Sequence, residues 1–198
     1  PGWCGSRRVF DPLAERCSAA RRTLVLDWRG HGQSESPSGD FGAEDLVKDA
    51  VAVIVASGAR QVVPIALSHA GWVAIELRRR LATLIPKLVF LDWIVLDPPQ
   101  LFLDALLGLQ SPTEWERARE QLFSMWLHGL DIPALTRYVR EDMGSHGLGM
   151  WARAGREIGS AYARFGSPLR ALAVMDERMP ALHLYAQPDD PDYLAAQQ

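Results

Sequence analysis

Cysteine is scarce in this sequence, with Cys4 and Cys17 alone among 198 residues. Their separation fits no metal-ligand spacing, and both read as simple buried thiols. Long apolar runs are missing, and none approaches the roughly 20 residues that a transmembrane helix needs. Concentrated positive charge is missing as well. The formal net charge is −3, and the basic pieces Arg7-Arg8, Arg21-Arg22 and Arg78-Arg79-Arg80 are short and scattered. Non-specific nucleic-acid binding relies on clustered charge, so that class is excluded and the pieces read as solvated faces. His31, His69, His128, His146 and His183 show neither an H-x-x-x-H spacing nor a facial-triad pattern for iron. What remains is a globular chain, 48% hydrophobic and 23% charged, with ordinary core content and a cytoplasmic setting as the default.

The most informative stretch is Gln61-Val62-Val63-Pro64-Ile65-Ala66-Leu67-Ser68-His69-Ala70-Gly71-Trp72. An apolar, β-branched run feeds a serine flanked by small residues, and a helix-like pattern follows. This is the layout of a nucleophile elbow, with Ala66 and Ala70 where G-x-S-x-G has glycines. Small side chains belong there because the strand and helix backbones pass closely. An ordinary strand-to-helix turn with a serine N-cap uses the same residues, so the motif alone leaves both readings open.

The neighbouring segments extend the pattern. Arg22-Thr23-Leu24-Val25-Leu26 reads as a strand running into Asp27-Trp28-Arg29-Gly30-His31-Gly32-Gln33-Ser34. A helix is predicted over residues 43–57, with Leu46, Val47, Ala50, Val51 and Ile54 on one face and Gly58 as its C-cap. After the elbow come a helix from 71 to about 84 and a strand, Lys87-Leu88-Val89-Phe90-Leu91, ending in Asp92-Trp93. Strands alternating with helices predict a mostly parallel sheet with crossover helices, an α/β architecture. Its chemistry belongs at the carboxyl ends of the strands, where His31, Ser68 and Asp92 fall.

Residues 97 to about 176 carry helical signals and no strand pattern. Ser111-Pro112-Thr113-Glu114 offers an N-cap, an N1 proline and a capping-box glutamate. Further helices are expected from Asp131-Ile132-Pro133 to about Gly144 and over 149–165, with Trp115 and Trp126 filling this region's own core. The expected organisation is the first part of an α/β-hydrolase core over 1–96, a helical cap over 97–176 and a return to the core over 177–198, through the strand-like Ala181-Leu182-His183-Leu184-Tyr185-Ala186. The opening Pro1-Gly2-Trp3-Cys4 has no initiator methionine. The chain is therefore expected to be a fragment without the N-terminal strands and the C-terminal strand and helix of that fold.

Particular residues resemble one family. Pro1-Gly2-Trp3-Cys4, Asp27-Trp28-Arg29-Gly30-His31-Gly32, Asp40-Phe41-Gly42, Val47-Lys48-Asp49-Ala50 and Ser68-His69-Ala70-Gly71-Trp72 are similar to the cofactor-free 3-hydroxy-4(1H)-quinolone 2,4-dioxygenases. So are Leu91-Asp92-Trp93, the Met150-Trp151-Ala152-Arg153-Ala154-Gly155-Arg156 segment, Gly166-Ser167-Pro168 and Gln187-Pro188, in register along the whole chain. The Arg-Gly-His-Gly loop is generic to α/β-hydrolases, whereas the Pro-Gly-Trp-Cys opening, Asp92-Trp93 and the Trp151 segment are more particular.

The resemblance implies cleavage of a heterocyclic ring by O2, with release of carbon monoxide and no metal or other cofactor. A histidine would deprotonate the substrate's 3-hydroxyl, and Asp92 matches the aspartate that orients that histidine. The histidine itself is expected beyond Gln198. Ser68 matches an elbow serine that assists by hydrogen bonding. The backbone N–H groups of Trp3 and His69 match the oxyanion hole, and Trp151 matches a tryptophan of the substrate pocket. A quinaldine-cleaving member has histidines where Gly5 and Leu67 stand, so a less polar pocket and a longer alkyl chain, such as heptyl, are implied here. No nucleic-acid or membrane partner is implied. Two other readings stay open on sequence: a serine hydrolase with Asp189 or Asp190 as its acid, and a non-catalytic binder of flat aromatic ligands.

Overall fold

The computed structural model describes residues 1–175, 179–186, 188 and 190–197. Its helices are α1 Asp11–Ser18, α2 Ala43–Ser57, α3 Ala70–Leu81, α4 Gln100–Gly108, α5 Trp115–Leu127, α6 Pro133–Arg137, α7 Leu148–Phe165, α8 Pro168–Ala173 and α9 Pro191–Ala195. The strands β1 Ile65–Leu67, β2 Leu88–Leu91 and β3 Ala181–Leu184 form one sheet in the order β1-β2-β3. Both pairings are parallel, as strands separated by crossover helices require. Internal contacts group the chain into two compact units, Pro1–Phe41 with Asp104–Arg156, and Gly42–Leu103 with Glu157–Gln198.

The second unit holds the sheet. Helix α2 follows its predicted bounds because its apolar residues recur on one face, burying Leu46, Val47, Ala50 and Ile54. Its start is fixed reciprocally, with Gly42 N–H donating to the Asp45 carboxylate at 3.1 Å and Asp45 N–H to Gly42 O at 3.0 Å. Gly58 ends it at φ 66°, the left-handed C-cap position expected of it. Ladder register places Ile65 beside Val89, Leu67 beside Leu91, and Leu91 beside Leu184. Side chains alternate across the strands. Ala66, Leu88 and Phe90 are accordingly buried, while Ile65, Leu182 and Leu184 on the opposite face are exposed.

The first unit is mainly helical. Its loop Asp27–Ser34 closes on the Asp27 carboxylate, which accepts Arg7 N–H at 2.6 Å and Gln33 N–H at 3.0 Å and pairs with the Arg7 guanidinium at 3.4 Å. Cys4 is buried, Cys17 is partly covered, and both are free thiols.

Several expectations need correction. Arg22–Leu26 pairs into no ladder among the described residues, so its apolar residues alone make no strand. Helix α5 starts at Trp115, because Ser111 spends its carbonyl and hydroxyl on the turn ahead of it. Helix α4 was not singled out within its helical region. Trp115 and Trp126 are half-buried and so lie at the edge of a core, not inside one. Arg78-Arg79-Arg80 is no free solvated face: Arg78 is 7% exposed, and Arg79 lies 4.9 Å from the Phe165 ring centroid and donates to Ala171 O at 3.3 Å. Among the described residues, no helix is long and apolar enough to cross a membrane.

The small-residue requirement at the elbow has a specific cause at Gly71, where the Trp93 ring occupies the place a Cβ would take. Gly71→Ala is expected to lower stability by about 1–3 kcal/mol through overpacking, read as a fall in the urea midpoint. An unchanged midpoint would contradict this packing.

Candidate active site

Ser68 and Asp92 occupy equivalent places, each the first residue after a strand and on neighbouring strands whose last residues, Leu67 and Leu91, are register partners. Both adopt left-handed backbone, at φ 52° and φ 45°. Such a conformation costs a non-glycine residue on the order of 1–3 kcal/mol, and its surroundings must impose it. Here the ladder does so at both turns. Ser68 N–H donates to Leu91 O at 2.8 Å, Asp92 N–H to Leu184 O at 2.7 Å, and Gly71 N–H to Ser68 O at 2.9 Å. Ser68 is half-buried and Asp92 exposed.

His69 follows Ser68 as the N-cap of α3. Its imidazole is buried, stacked on Phe102 at 5.5 Å and edge-on to Tyr162 at 5.9 Å. The Trp93 indole N–H donates to His69 Nδ1 at 3.2 Å. An indole nitrogen only donates, so Nδ1 is unprotonated and the proton of the neutral ring sits on Nε2. Burial pushes the His69 pKa down to about 3, and the Trp93 hydrogen bond favours the same neutral form. The His69 backbone N–H, at the positive end of α3, donates to no protein acceptor among the described residues. Trp72 adds an edge-on contact to Trp93 at 5.1 Å and a stacked one to Phe165 at 5.4 Å.

His183 lies on β3, and both its ring nitrogens are engaged. Nε2 accepts Trp93 N–H at 3.4 Å, and Nδ1 lies 2.6 Å from Gln197 Oε1. It is a satisfied structural histidine. Asp190, an alternative acid in the hydrolase reading, caps α9 by accepting Asp192 N–H at 2.9 Å. Asp189 lies outside the described residues, as does Gln187.

In the first unit, Trp3 is buried against Phe41, stacked at 5.9 Å, and tilted against His31 at 5.9 Å. His31 holds its loop: Nε2 accepts Cys4 N–H at 3.0 Å, so Nδ1 carries the proton that bonds Arg29 O at 2.9 Å. Burial lowers its pKa to about 4 against the raising effect of the Arg29 carbonyl. His146 is half-buried 5.3 Å from the His31 ring and so is not simply surface, whereas His128 is exposed. Trp3 N–H, like that of His69, donates to no protein acceptor among the described residues. Trp151 is 2% exposed and packs edge-on against Phe123 at 5.6 Å, with its indole N–H unpartnered among the described residues. The structure therefore brings Ser68, His69 and Asp92 together at adjacent strand ends of one unit, while Trp3 and Trp151 belong to the other.

Sequence reasoning missed the side-chain role of Trp93. Sequence puts it beside Asp92, but only the strand register brings its indole to the residue after Ser68. Among the described residues, no three His, Cys, Asp or Glu side chains are grouped so as to hold a metal ion.

The sequence profile of the Alpha/beta hydrolase family matches residues 1–198. A 2-heptyl-3-hydroxy-4(1H)-quinolone dioxygenase of Mycobacteroides abscessus is 38% identical over 193 residues, covering 97% of this chain and 72% of the relative. A 1H-3-hydroxy-4-oxoquinoline 2,4-dioxygenase of Pseudomonas putida is 34% identical over 193 residues, covering 97% of this chain and 73% of that protein. The solved structure of AqdC, which recognises and cleaves the ring of the Pseudomonas quinolone signal, superposes in its product complex with a TM-score of 0.92 at 38% identity. The match covers 98% of this chain and 74% of AqdC. An esterase from Thermogutta terrifontis, at TM-score 0.72 and 19% identity over 98% of this chain and 72% of its own, shares the fold alone.

The two buried imidazoles make stability pH-dependent. Their native pKa values, about 4 and about 3, lie below the ordinary 6.5, so as pH falls the unfolded state takes up protons first. Their contribution is complete above about pH 6.5 and is lost as pH drops toward the native values. Trp93→Phe removes the donor to Nδ1. It is expected to raise the His69 pKa and make the acid decline shallower, read by imidazole NMR titration and urea unfolding from about pH 7 to about pH 2. An unmoved His69 titration would contradict the assigned hydrogen bond.

Proposed function

Because the chain belongs to the alpha/beta hydrolase family and, within it, to the 3-hydroxy-4-quinolone 2,4-dioxygenases, we propose that it opens the heterocyclic ring of a 2-alkyl-3-hydroxy-4(1H)-quinolone with O2. The products are an N-acylanthranilate and carbon monoxide. Both oxygen atoms of O2 enter the acylanthranilate, one at C2 as the amide carbonyl and one at C4 in the carboxylate, while C3 leaves as CO with the former 3-hydroxyl oxygen. The 3-hydroxyl proton passes to a base, and the resulting electron-rich anion supplies electrons to O2.

The observation that carries this reading is the pair of imposed left-handed turns at Ser68 and Asp92. They set Ser68 and Asp92 at the carboxyl ends of adjacent parallel strands, where this architecture does its chemistry. In this proposal Asp92 orients a histidine base and stabilises its positive charge after proton transfer. Ser68 hydrogen-bonds the substrate's oxygen and does not attack carbon. The resemblance assigns donor roles toward the substrate's carbonyl oxygen to the backbone N–H groups of His69 and Trp3, neither spent on a protein acceptor among the described residues. The unpartnered Trp151 indole N–H suits a polar edge of a bound heterocycle, since a buried donor without an acceptor costs about 1–3 kcal/mol.

Leu67, half-buried beside the elbow, leaves this position without a polar side chain, which supports a 2-heptyl quinolone over the 2-methyl one. A cytoplasmic location completes the proposal.

The full-length protein is expected to release CO from the 2-heptyl substrate in air without added metal or flavin. Asp92→Asn is expected to lower kcat by at least about a hundredfold, as loss of an orienting carboxylate does. Ser68→Ala is expected to cost about tenfold, the worth of one hydrogen bond to a charged oxygen. Abolished turnover in Ser68→Ala together with ester hydrolysis and no CO would overturn the reading. Faster turnover of the 2-methyl substrate would overturn the alkyl preference alone.

A further inference from the structure

The first six residues are all buried, yet they are not part of any helix or strand. Their fixation comes from four side chains distant in sequence. Trp28 Nε1–H donates to Pro1 O at 2.6 Å, and His31 Nε2 accepts Cys4 N–H at 3.0 Å. Gly5 N–H closes a tight turn on Gly2 O at 3.2 Å, which leaves Trp3 at the tip and forces Cys4 to φ 62°. The remaining two contacts come from one short segment, the π-helical turn Tyr138–Asp142 that continues α6. The Ser6 hydroxyl donates to the Asp142 carboxylate, and the Tyr138 hydroxyl fills the space a Cβ on Gly5 would need, with ring Cζ 3.0 Å from that position.

A carboxylate acceptor makes the Ser6 bond roughly twice as strong as a neutral one. A π-helical turn is unfavourable in itself and recurs at functional sites. Here the two side chains it projects meet consecutive residues of the loop, Gly5 and Ser6, just downstream of Trp3. From this geometry we infer that the Tyr138–Asp142 turn is a clamp on the Pro1–Ser6 loop, and that Asp142 and Tyr138 are positioning residues which fix the Trp3 N–H for ring cleavage. The inference rests on the proposed role of Trp3 N–H as a donor to the substrate. Neither residue touches the substrate in this account. Each acts through the loop backbone.

The test combines turnover of the full-length protein with hydrogen exchange of the peptide containing Trp3. Ser6→Ala and Asp142→Ala are each expected to lower kcat for the 2-heptyl substrate about tenfold with KM changed less than about twofold. The double variant is expected to be no worse than the worse single one, because the two residues make one bond. Asp142→Asn, which keeps an acceptor oxygen, is expected to restore most of kcat. Gly5→Ala, which drives a methyl group into the Tyr138 hydroxyl, is expected to reproduce the loss, with partial relief by Tyr138→Phe. In each impaired variant, exchange at the Trp3 peptide is expected to rise.

Unchanged exchange in Ser6→Ala would overturn the clamp whatever the turnover. Raised exchange with unchanged kcat would overturn its catalytic role. A wild type that shows no CO release but normal loop protection, lost in Ser6→Ala, would sink the proposed function and still support the clamp. Should Asp142→Ala fail to fold, Ser6→Ala and Asp142→Asn decide the matter.

Discussion

The hydrogen bond from the Trp93 indole to His69 Nδ1 joins the turn after β1 to the turn after β2. Most of what is notable in the second unit depends on it or on the ladder beneath it. The bond requires an unprotonated Nδ1, which burial of the imidazole guarantees at neutral pH. It places the Trp93 ring where only a glycine fits, at Gly71, and so fixes how closely the start of α3 approaches the end of β2. With both turns tied, Ser68 and Asp92 keep left-handed backbones that neither would choose alone.

That economy explains how a hydrolase architecture can serve an oxygenation. A strained elbow is usually associated with a serine that attacks carbon, but the same geometry presents a hydroxyl, a helix N-terminus and a backbone N–H to any oxyanion. A substrate that becomes an electron-rich anion on losing one proton needs a base, donors for its oxygens and a dry pocket. A hydroxyl and backbone donors at the strand ends serve part of that need without covalent catalysis, and one fold thereby hosts different chemistries.

How much of this was legible in the sequence depended on whether local or tertiary physics set the outcome. Helix α2 and its Gly58 cap are written in periodicity and backbone freedom, so they could be read directly. Ser68 and Asp92 could be placed at strand ends because apolar runs stop there. Arg22–Leu26 has the same composition as a strand, but a strand is defined by a partner, and its partner is not in the sequence pattern. The start of α5 slipped because Ser111 used its hydrogen-bonding capacity locally. Arg78 is buried although its neighbours in a basic triplet suggest solvent. The Trp93–His69 bond and the Ser6–Asp142 bond join residues 24 and 136 positions apart, so only the folded chain reveals them. The roles proposed for Trp3, Asp92 and Trp151 come from the family resemblance, because spacing alone assigns none to them.

The central claim is that oxygen reacts with the substrate's own anion while Ser68 only hydrogen-bonds. Isotope labelling tests this most directly: the full-length protein is given the 2-heptyl quinolone under labelled O2 in ordinary water, and the acylanthranilate is weighed by mass spectrometry. The account predicts two labelled oxygens in the product, one in the amide and one in the carboxylate, and an unlabelled CO. A product whose new oxygen comes from water, or a covalent adduct on Ser68 during turnover, would contradict it.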